Sequence, residues 1–326
     1  MKVAHALSDW HAEPRPLCVA IGVFDGLHRG HARVIAAARR AARKVDGDAW
    51  VLTFDPHPAR LLRAGTAPRL LTSLPHKLQM LERLDLDGCM VLPFTRDLAA
   101  LPPREFLENL RQAAPTLRAI FVGRNWRFGK DRAGTPALLA RYARKHGIAV
   151  HAVAPVSRGG LPVSSTRIRT LIQHGSLTEA AAMLGRPFSV MGPVRQGNRL
   201  GRRLGYATAN LDPDNEVLPP YGIYAVFARI GRELREGVVS YGVRPTVYRT
   251  PDAPAVLELH VLDFAGNLYG QELEVFFVHR LRDEQTFDSL EALCARIERD
   301  VAASRQILAN AKCRKETLYS VCGAVL

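Results

Sequence analysis

The 326-residue chain has no apolar run near the roughly 18 to 20 residues needed to cross a bilayer. Its first residues, among them Lys2, His5, Asp9 and His11, lack the apolar stretch of a secretory leader. Both absences point to a soluble protein that is not exported. Cysteine is scarce: Cys18, Cys89, Cys294, Cys313 and Cys322 are odd in number and none forms a Cys-x-x-Cys pair. That spacing suggests neither a disulfide framework nor a zinc site, and the expected setting is a reducing cytoplasm. Internal repeats and low-complexity segments are missing, and a hydrophobic fraction of 47% excludes a disordered or fibrous chain. Two domains are expected for this length.

Acidic residues are also in short supply: 45 Lys and Arg face 31 Asp and Glu, a net charge of +14. The excess is local. Residues 1–186 hold 28 basic against 14 acidic side chains, residues 187–306 hold 14 against 16, and residues 307–326 hold 3 against 1. Such a field attracts phosphate, whether in nucleic acid, a lipid head group or a nucleotide.

Short apolar runs at 18–23, 49–54, 89–93, 119–122 and 148–153 alternate with helical patterns, the order of a parallel sheet built from βαβ units. In the first helix Val34, Ile35, Ala38, Ala41, Ala42 and Val45 share a face, and Gly47 is placed to end it. Its Arg39, Arg40, Arg43 and Lys44 read as cations complementing the helix dipole rather than as a nucleic-acid patch. After a short linker near 186–191 the pattern becomes antiparallel β, with runs at 221–230, 255–264 and 273–281. Asp288 and Glu291 have capping-box spacing and open a helix expected to reach about residue 306. The expected division is 1–186, 187–306 and a tail, 307–326, with no assigned role.

Residues 22–31, GVFDGLHRGH, fall directly between the first strand and the first helix. Gly22 and Gly26 permit close backbone approach or unusual dihedrals, and the helix start directs N–H groups at an anion. His28 and His31, three apart, share a face of the first turn, and two imidazoles there suit charge building on a transferring phosphoryl group. VSSTRIRTL, 163–171, opens a later helix that Ser164, Ser165 and Thr166 can cap, while Arg167 and Arg169 offer charged forks to phosphates. Donors on two sides of a triphosphate are what nucleotide transfer by positioning requires.

In the second region GPVRQGNRLGRRLGYATANL, 192–211, mixes glycines with Arg195, Arg199, Arg202 and Arg203. It is cationic enough to close over phosphates, yet no Gly-Lys-Ser/Thr makes it a Walker A loop. Thr208 and Asn210 are two apart, so in a strand they face one side and can reach one hard cation with its nucleotide. Glu258 lies between Leu257 and Leu259 and faces the opposite side, either as a solvated carboxylate or as a general base toward a substrate hydroxyl. No Cys or Ser nucleophile has a base beside it, so no covalent intermediate is expected.

GVFDGLHRGH with VSSTRIR resembles the nucleotidyltransferase superfamily marked by His-x-Gly-His. Together with VLTFDPHP (51–58), LPFTRDLAALPPREFLENL (92–110) and VGRNWRFGKDRAG (122–134), it is similar to the FAD synthetase module of the bacterial bifunctional riboflavin kinase/FAD synthetase family. LGRRLGYATANL, SYGVRPTV (240–247) and the stretch 257–293 resemble that family's riboflavin kinase module, so the resemblance covers about 15–306. It implies an α/β fold: a Rossmann-like nucleotidyltransferase domain with a parallel sheet, then a six-stranded antiparallel β-barrel with a C-terminal helix. It further implies ATP-dependent phosphorylation of riboflavin to FMN in the second domain and adenylylation of FMN to FAD, with release of pyrophosphate, in the first. ATP is then a co-substrate and Mg²⁺ the metal.

By the same resemblance His28 and His31 contact the ATP phosphates, Gly22, Phe24, Asp25, Gly26, Ser165, Thr166 and Arg169 line that nucleotide site, and Asn125 meets the flavin. Gly197, Gly201, Thr208 and Asn210 line the second nucleotide site, with Thr208 and Asn210 holding Mg²⁺ and Glu258 activating the riboflavin 5′-hydroxyl. Val23 stands where the family often has Asn, Trp126 where Phe is usual and Ala207 where it has Pro. The expected partners are riboflavin, FMN, FAD and ATP, with no membrane, specific nucleic acid or obligate protein partner. Two other readings remain at this point: a basic RNA-binding protein on the same fold, and an adenylyltransferase for another acceptor, which leaves the β-rich region without a role.

Overall fold

The computed structural model describes residues 1–10, 15–63, 65–196, 206–243 and 255–312. By packing these form two units, one of Met1–Arg69 with Lys77–Thr166, the other of Leu70–His76 with the residues from Arg167 onward.

The chain begins with β1 (Lys2–Ala4), β2 (Leu17–Ile21), α1 (Arg29–Lys44), β3 (Asp48–Asp55) and α2 (Pro58–Leu62). There follow α3 (Leu74–Glu82), β4 (Gly88–Pro93), α4 (Arg96–Ala100), α5 (Pro103–Ala113), β5 (Leu117–Gly123), α6 (Pro136–Arg144) and β6 (Ala149–Val153). The six strands form one parallel sheet in the order β1-β4-β3-β2-β5-β6. On one face Val19, Ile21, Leu52, Met90, Ile120 and Val122 form a core with Phe106, Leu107 and Leu110 of α5 and Leu139 of α6. The inner strands are covered on both faces, which is why they read as continuous apolar runs. From β2 the chain winds outward to β3 and β4, then returns to the other side of β2 for β5 and β6. The switch point therefore falls between β2 and β5, where open α/β sheets leave a crevice for ligands at the carboxyl ends of the strands.

Helix α1 buries Val34, Ile35, Ala38 and Ala42 as expected, but its end differs. Val45 is the C-cap and is 46% exposed, because the chain reverses at Asp46 in the left-handed region (φ 47°), with the Gly47 N–H bonded to the Ala42 carbonyl. The basic run is partly paired: Arg39 and Arg43 both reach the exposed carboxylate of Asp85, at 2.8 and 3.2 Å.

A short hairpin, β7 (Ser157–Arg158) with β8 (Leu161–Pro162), precedes α7 (Ser165–Gln173) and α8 (Leu177–Leu184). The second unit is then built from β9 (Phe188–Arg195), β10 (Ala209–Leu211), β11 (Gly222–Ile230), β12 (Glu233–Val243), β13 (Ala255–Val261), β14 (Glu272–Arg282) and a final helix, α9 (Leu290–Lys312). The strands close into an antiparallel barrel in the order β10-β13-β12-β11-β14-β9. The stretch 188–191, expected to lie in a linker, is the buried start of β9. Both faces of β11 are covered, one by the barrel interior and one where Leu308 of α9 packs against Ala225, Phe227 and Phe276. Helix α9 runs past the expected end near 306, and its first turn is capped by Ser289, whose hydroxyl accepts the Ala292 N–H at 3.2 Å, rather than by Asp288.

A buried polar cluster pins the segment Leu70–His76 within the barrel unit. Glu274 of β14 accepts through one oxygen from Ser189 Oγ (3.0 Å) and His76 Nε2 (3.0 Å), and through the other from Arg229 Nε (3.3 Å). Ser189, His76 and Glu274 have the residue types of a hydrolytic triad but not its geometry. Serine and histidine address the same carboxylate oxygen, the histidine through the same Nε2 that lies 3.3 Å from Ser189 Oγ, and all three side chains are buried.

Candidate active sites

The first site lies at the carboxyl ends of β2 and β5. After Ile21 the chain makes a tight loop in which Phe24 (φ 53°), Gly26 (φ 75°) and Leu27 (φ 40°) all adopt the left-handed region. The two glycines serve different ends. Gly26 supplies the positive φ, whereas a Cβ on Gly22 would stand 3.0 Å from the Phe24 ring that packs over it. Phe24 is fully buried and meets the His31 ring edge-on, with centroids 5.3 Å apart.

His28 is the N-cap of α1 rather than a member of its first turn: its Nδ1 accepts the His31 N–H at 3.3 Å. The two imidazoles stack, centroids 3.6 Å apart and 15° from parallel. Because Nδ1 of His28 accepts, the neutral ring carries its proton on Nε2. Ser165, the first residue of α7, donates its hydroxyl to the Asp25 carbonyl at 3.0 Å and so ties the α7 start to the loop. Thr166 is exposed, and Arg169 lies one turn beyond Ser165 on the same helix face. Asn125 is exposed in the turn after β5, on the rim of the switch point. The next residue, Trp126, stacks on Phe128 at 4.4 Å between centroids.

One charged residue at this site escaped the sequence reading. Lys77 is buried, and the carboxylates of Asp25 and Asp55 and the thiol of Cys89 act on it. Burial lowers its pKa and the neighbouring Asp25 and Asp55 oppose that shift, while burial pushes the Cys89 thiol up to about 12. Its signal was available: Lys77, Met80, Leu81 and Leu84 fall at helical stripe spacing and all are buried, so a cation occupies a core position.

The second site is on the barrel. Asn210 of β10 stands directly opposite Glu258 of β13, and Glu258 in turn opposite Ser240 of β12, a row of polar side chains on one face. Leu257 and Leu259 point to the buried interior, so Glu258 faces away from it as the alternation predicts. Thr208 is not in the strand; β10 starts at Ala209, leaving Thr208 just before the ladder. Gly197 and Gly201 lie outside the described residues.

The switch point thus carries a capped, histidine-bearing helix start, and the closed barrel carries an opposed Asn–Glu pair. Two family models match the chain, FAD synthetase over residues 11–167 and riboflavin kinase over residues 184–308. The bifunctional riboflavin kinase/FMN adenylyltransferase of Pseudomonas fluorescens is 36% identical over 309 residues, covering 95% of this chain and 98% of that protein. That of Escherichia coli K12 is 34% identical, covering 96% and 99%, and that of Bacillus subtilis 31%, covering 95% and 99%. The chain belongs to the bifunctional riboflavin kinase/FMN adenylyltransferase family. A crystal structure from Streptococcus pneumoniae, named for macrolide efflux, superposes with a TM-score of 0.80 at 30% identity over 93% of this chain and 98% of that one. No helix among the described residues here is long and apolar enough to cross a membrane.

Proposed function

We propose that this chain is an enzyme that phosphorylates riboflavin with ATP to give FMN on its barrel unit, and adenylylates FMN with a second ATP to give FAD and pyrophosphate on its parallel-sheet unit. The observation that carries the reading is family membership over 95% of the chain, with a separate family model on each module. The barrel then has a role that neither an RNA-binding protein nor an adenylyltransferase for another acceptor would give it. The reactions belong to a cytoplasmic enzyme.

In adenylylation an oxygen of the FMN phosphate attacks the α-phosphorus of ATP and pyrophosphate leaves. The start of α1 and the loop 22–28 face that event with backbone N–H groups, the Nε2 proton of His28 and the stacked His31, donors suited to charge gathering on the leaving oxygens. Ser165 holds the loop from the far side, and Thr166, Arg169 and Asn125 complete the nucleotide and flavin contacts in this reading.

In phosphorylation Glu258 takes the proton of the riboflavin 5′-hydroxyl as that oxygen attacks the γ-phosphorus and ADP departs. Asn210 offers a neutral oxygen opposite that carboxylate, and Thr208, just before the ladder, supplies a second in this reading, a donor set that fits a hard cation. Among the described residues no group of three His, Cys, Asp or Glu side chains is placed to hold a metal unaided. In this reading Thr208 and Asn210 would share a Mg²⁺ ion with nucleotide phosphates and water. When bound, such an ion neutralises charge on the transferring phosphoryl group.

The basic excess of residues 1–186 fits the module that must attract two anions, ATP and FMN, and steering of this kind weakens with salt. Incubation with riboflavin, Mg²⁺ and ATP, followed by chromatography, is the test. FMN and FAD are the expected products, and absence of both would overturn the reading.

A further inference from the structure

Next to the Asn210–Glu258 pair stands a histidine to which none of the roles above is assigned. His260 is two residues beyond Glu258 on β13, hence on the same face of the strand. Its Nδ1 lies 2.9 Å from the carbonyl oxygen of Ala207. A carbonyl can only accept, so Nδ1 carries the hydrogen in this contact, and it does so whether the ring is neutral or protonated. The ring also meets Tyr206 edge-on, centroids 5.6 Å apart at 79°, and the Tyr206 hydroxyl donates to Glu298 of α9 at 3.4 Å. Tyr206 and Ala207 are thus held from β13 and α9 just before Thr208, which itself lies outside the strand ladder. The backbone of Ala207 has no proline ring to fix its φ, so the direction of its carbonyl depends on such outside contacts.

We propose that His260 is a positioning residue for phosphoryl transfer: by donating to the Ala207 carbonyl it fixes the approach of Thr208 to the Asn210–Glu258 pair, and with it the seat of the ATP–metal complex. This rests on the reading of the barrel as the riboflavin kinase module. His260 touches no reacting atom in this account. Its loss should therefore act on nucleotide binding through Thr208 and leave the base, Glu258, in place.

The test uses the full-length protein and steady-state kinetics of riboflavin phosphorylation at saturating Mg²⁺. For His260→Ala the KM for ATP should rise about fivefold to tenfold, the scale of one lost hydrogen bond, with KM for riboflavin changing less than about twofold. His260→Asn, whose amide N–H can take the place of Nδ1, should restore most of the loss. His260→Phe keeps the bulk against Tyr206 but not the donor, and should behave like His260→Ala, which keeps the test open if the alanine variant fails to fold. Adenylylation of supplied FMN serves as the measure of an intact chain. Unchanged KM for ATP in both donor-less variants would overturn the proposal. So would equal rises in both KM values without rescue by Asn, which would mark a general packing role. Failure of the wild-type protein to form FMN would instead overturn the kinase reading itself.

Discussion

The rings of His28 and His31 lie face to face 3.6 Å apart while the first accepts the backbone N–H of the second. One imidazole thus orients the other and caps the helix that carries it. Replacing either with Ala should lower FAD formation by about 100-fold or more, the range for removing a donor to developing charge. FMN formation should persist in the same samples. Equal loss of both activities in a folded variant would argue against two separate sites.

The opposed pair on the barrel leads to the reciprocal expectation. Glu258→Gln should reduce riboflavin phosphorylation by roughly 10²- to 10⁴-fold, as for loss of a general base, while adenylylation of supplied FMN continues. Asn210→Ala should raise the Mg²⁺ concentration needed for half-maximal phosphorylation. Normal phosphorylation by Glu258→Gln would remove that carboxylate from the mechanism.

Glu274 accepts from three side chains in the barrel unit, so Glu274→Ala should be costly. It leaves Arg229 facing the space its partner held, and breaking a buried ion pair on one side costs about 3–5 kcal/mol. Replacing both Glu274 and Arg229 by Leu should cost less than Glu274→Ala alone. Urea unfolding followed by the activity of each module would measure this, and a smaller loss in the single variant than in the double would refute it.

The Cys89 thiol provides an alkaline signature. Its pKa in the folded chain is raised to about 12, chiefly by burial, against about 8.5 for a free thiol. The unfolded chain therefore loses that proton first as pH rises. The stabilising contribution is complete below about pH 8.5 and declines above it by roughly 1.4 kcal/mol per pH unit until the folded thiol titrates. In Cys89→Ala this part of the alkaline slope should vanish. Denaturant midpoints between pH 8 and 10.5 would reveal it, and identical slopes for the two proteins would count against a buried, protonated thiol.

Much of the architecture was legible because its causes are local. The inner strands announce themselves as apolar runs covered on both faces, and the alternation around Glu258 survives in the barrel because one face of β13 is interior. Other features were harder to read or not legible at all. The three-residue edge strand β1 is too short to show a period. The end of α1 is decided by Asp46 taking a left-handed conformation, which a stripe of apolar residues cannot announce. Lys77 reads as a surface cation unless its place in the stripe with Met80, Leu81 and Leu84 is weighed. The facing of Asn210 and Glu258 is a matter of strand register over a separation of 48 positions, and no local pattern encodes it.

The cluster around Glu274 also bears on how this protein is made. Leu70 donates its N–H to Glu216 at 2.8 Å, the Leu71 carbonyl accepts from Asn215 at 2.6 Å, and His76 meets Glu274, so the barrel unit includes a stretch of chain that leaves the ribosome about a hundred residues before the first barrel strand. During synthesis that stretch waits for partners not yet made. A fragment starting at Arg167, however natural as a cut between two catalytic modules, would lose all three bonds. Dissection of the two activities is therefore better done by point substitution than by cutting the gene.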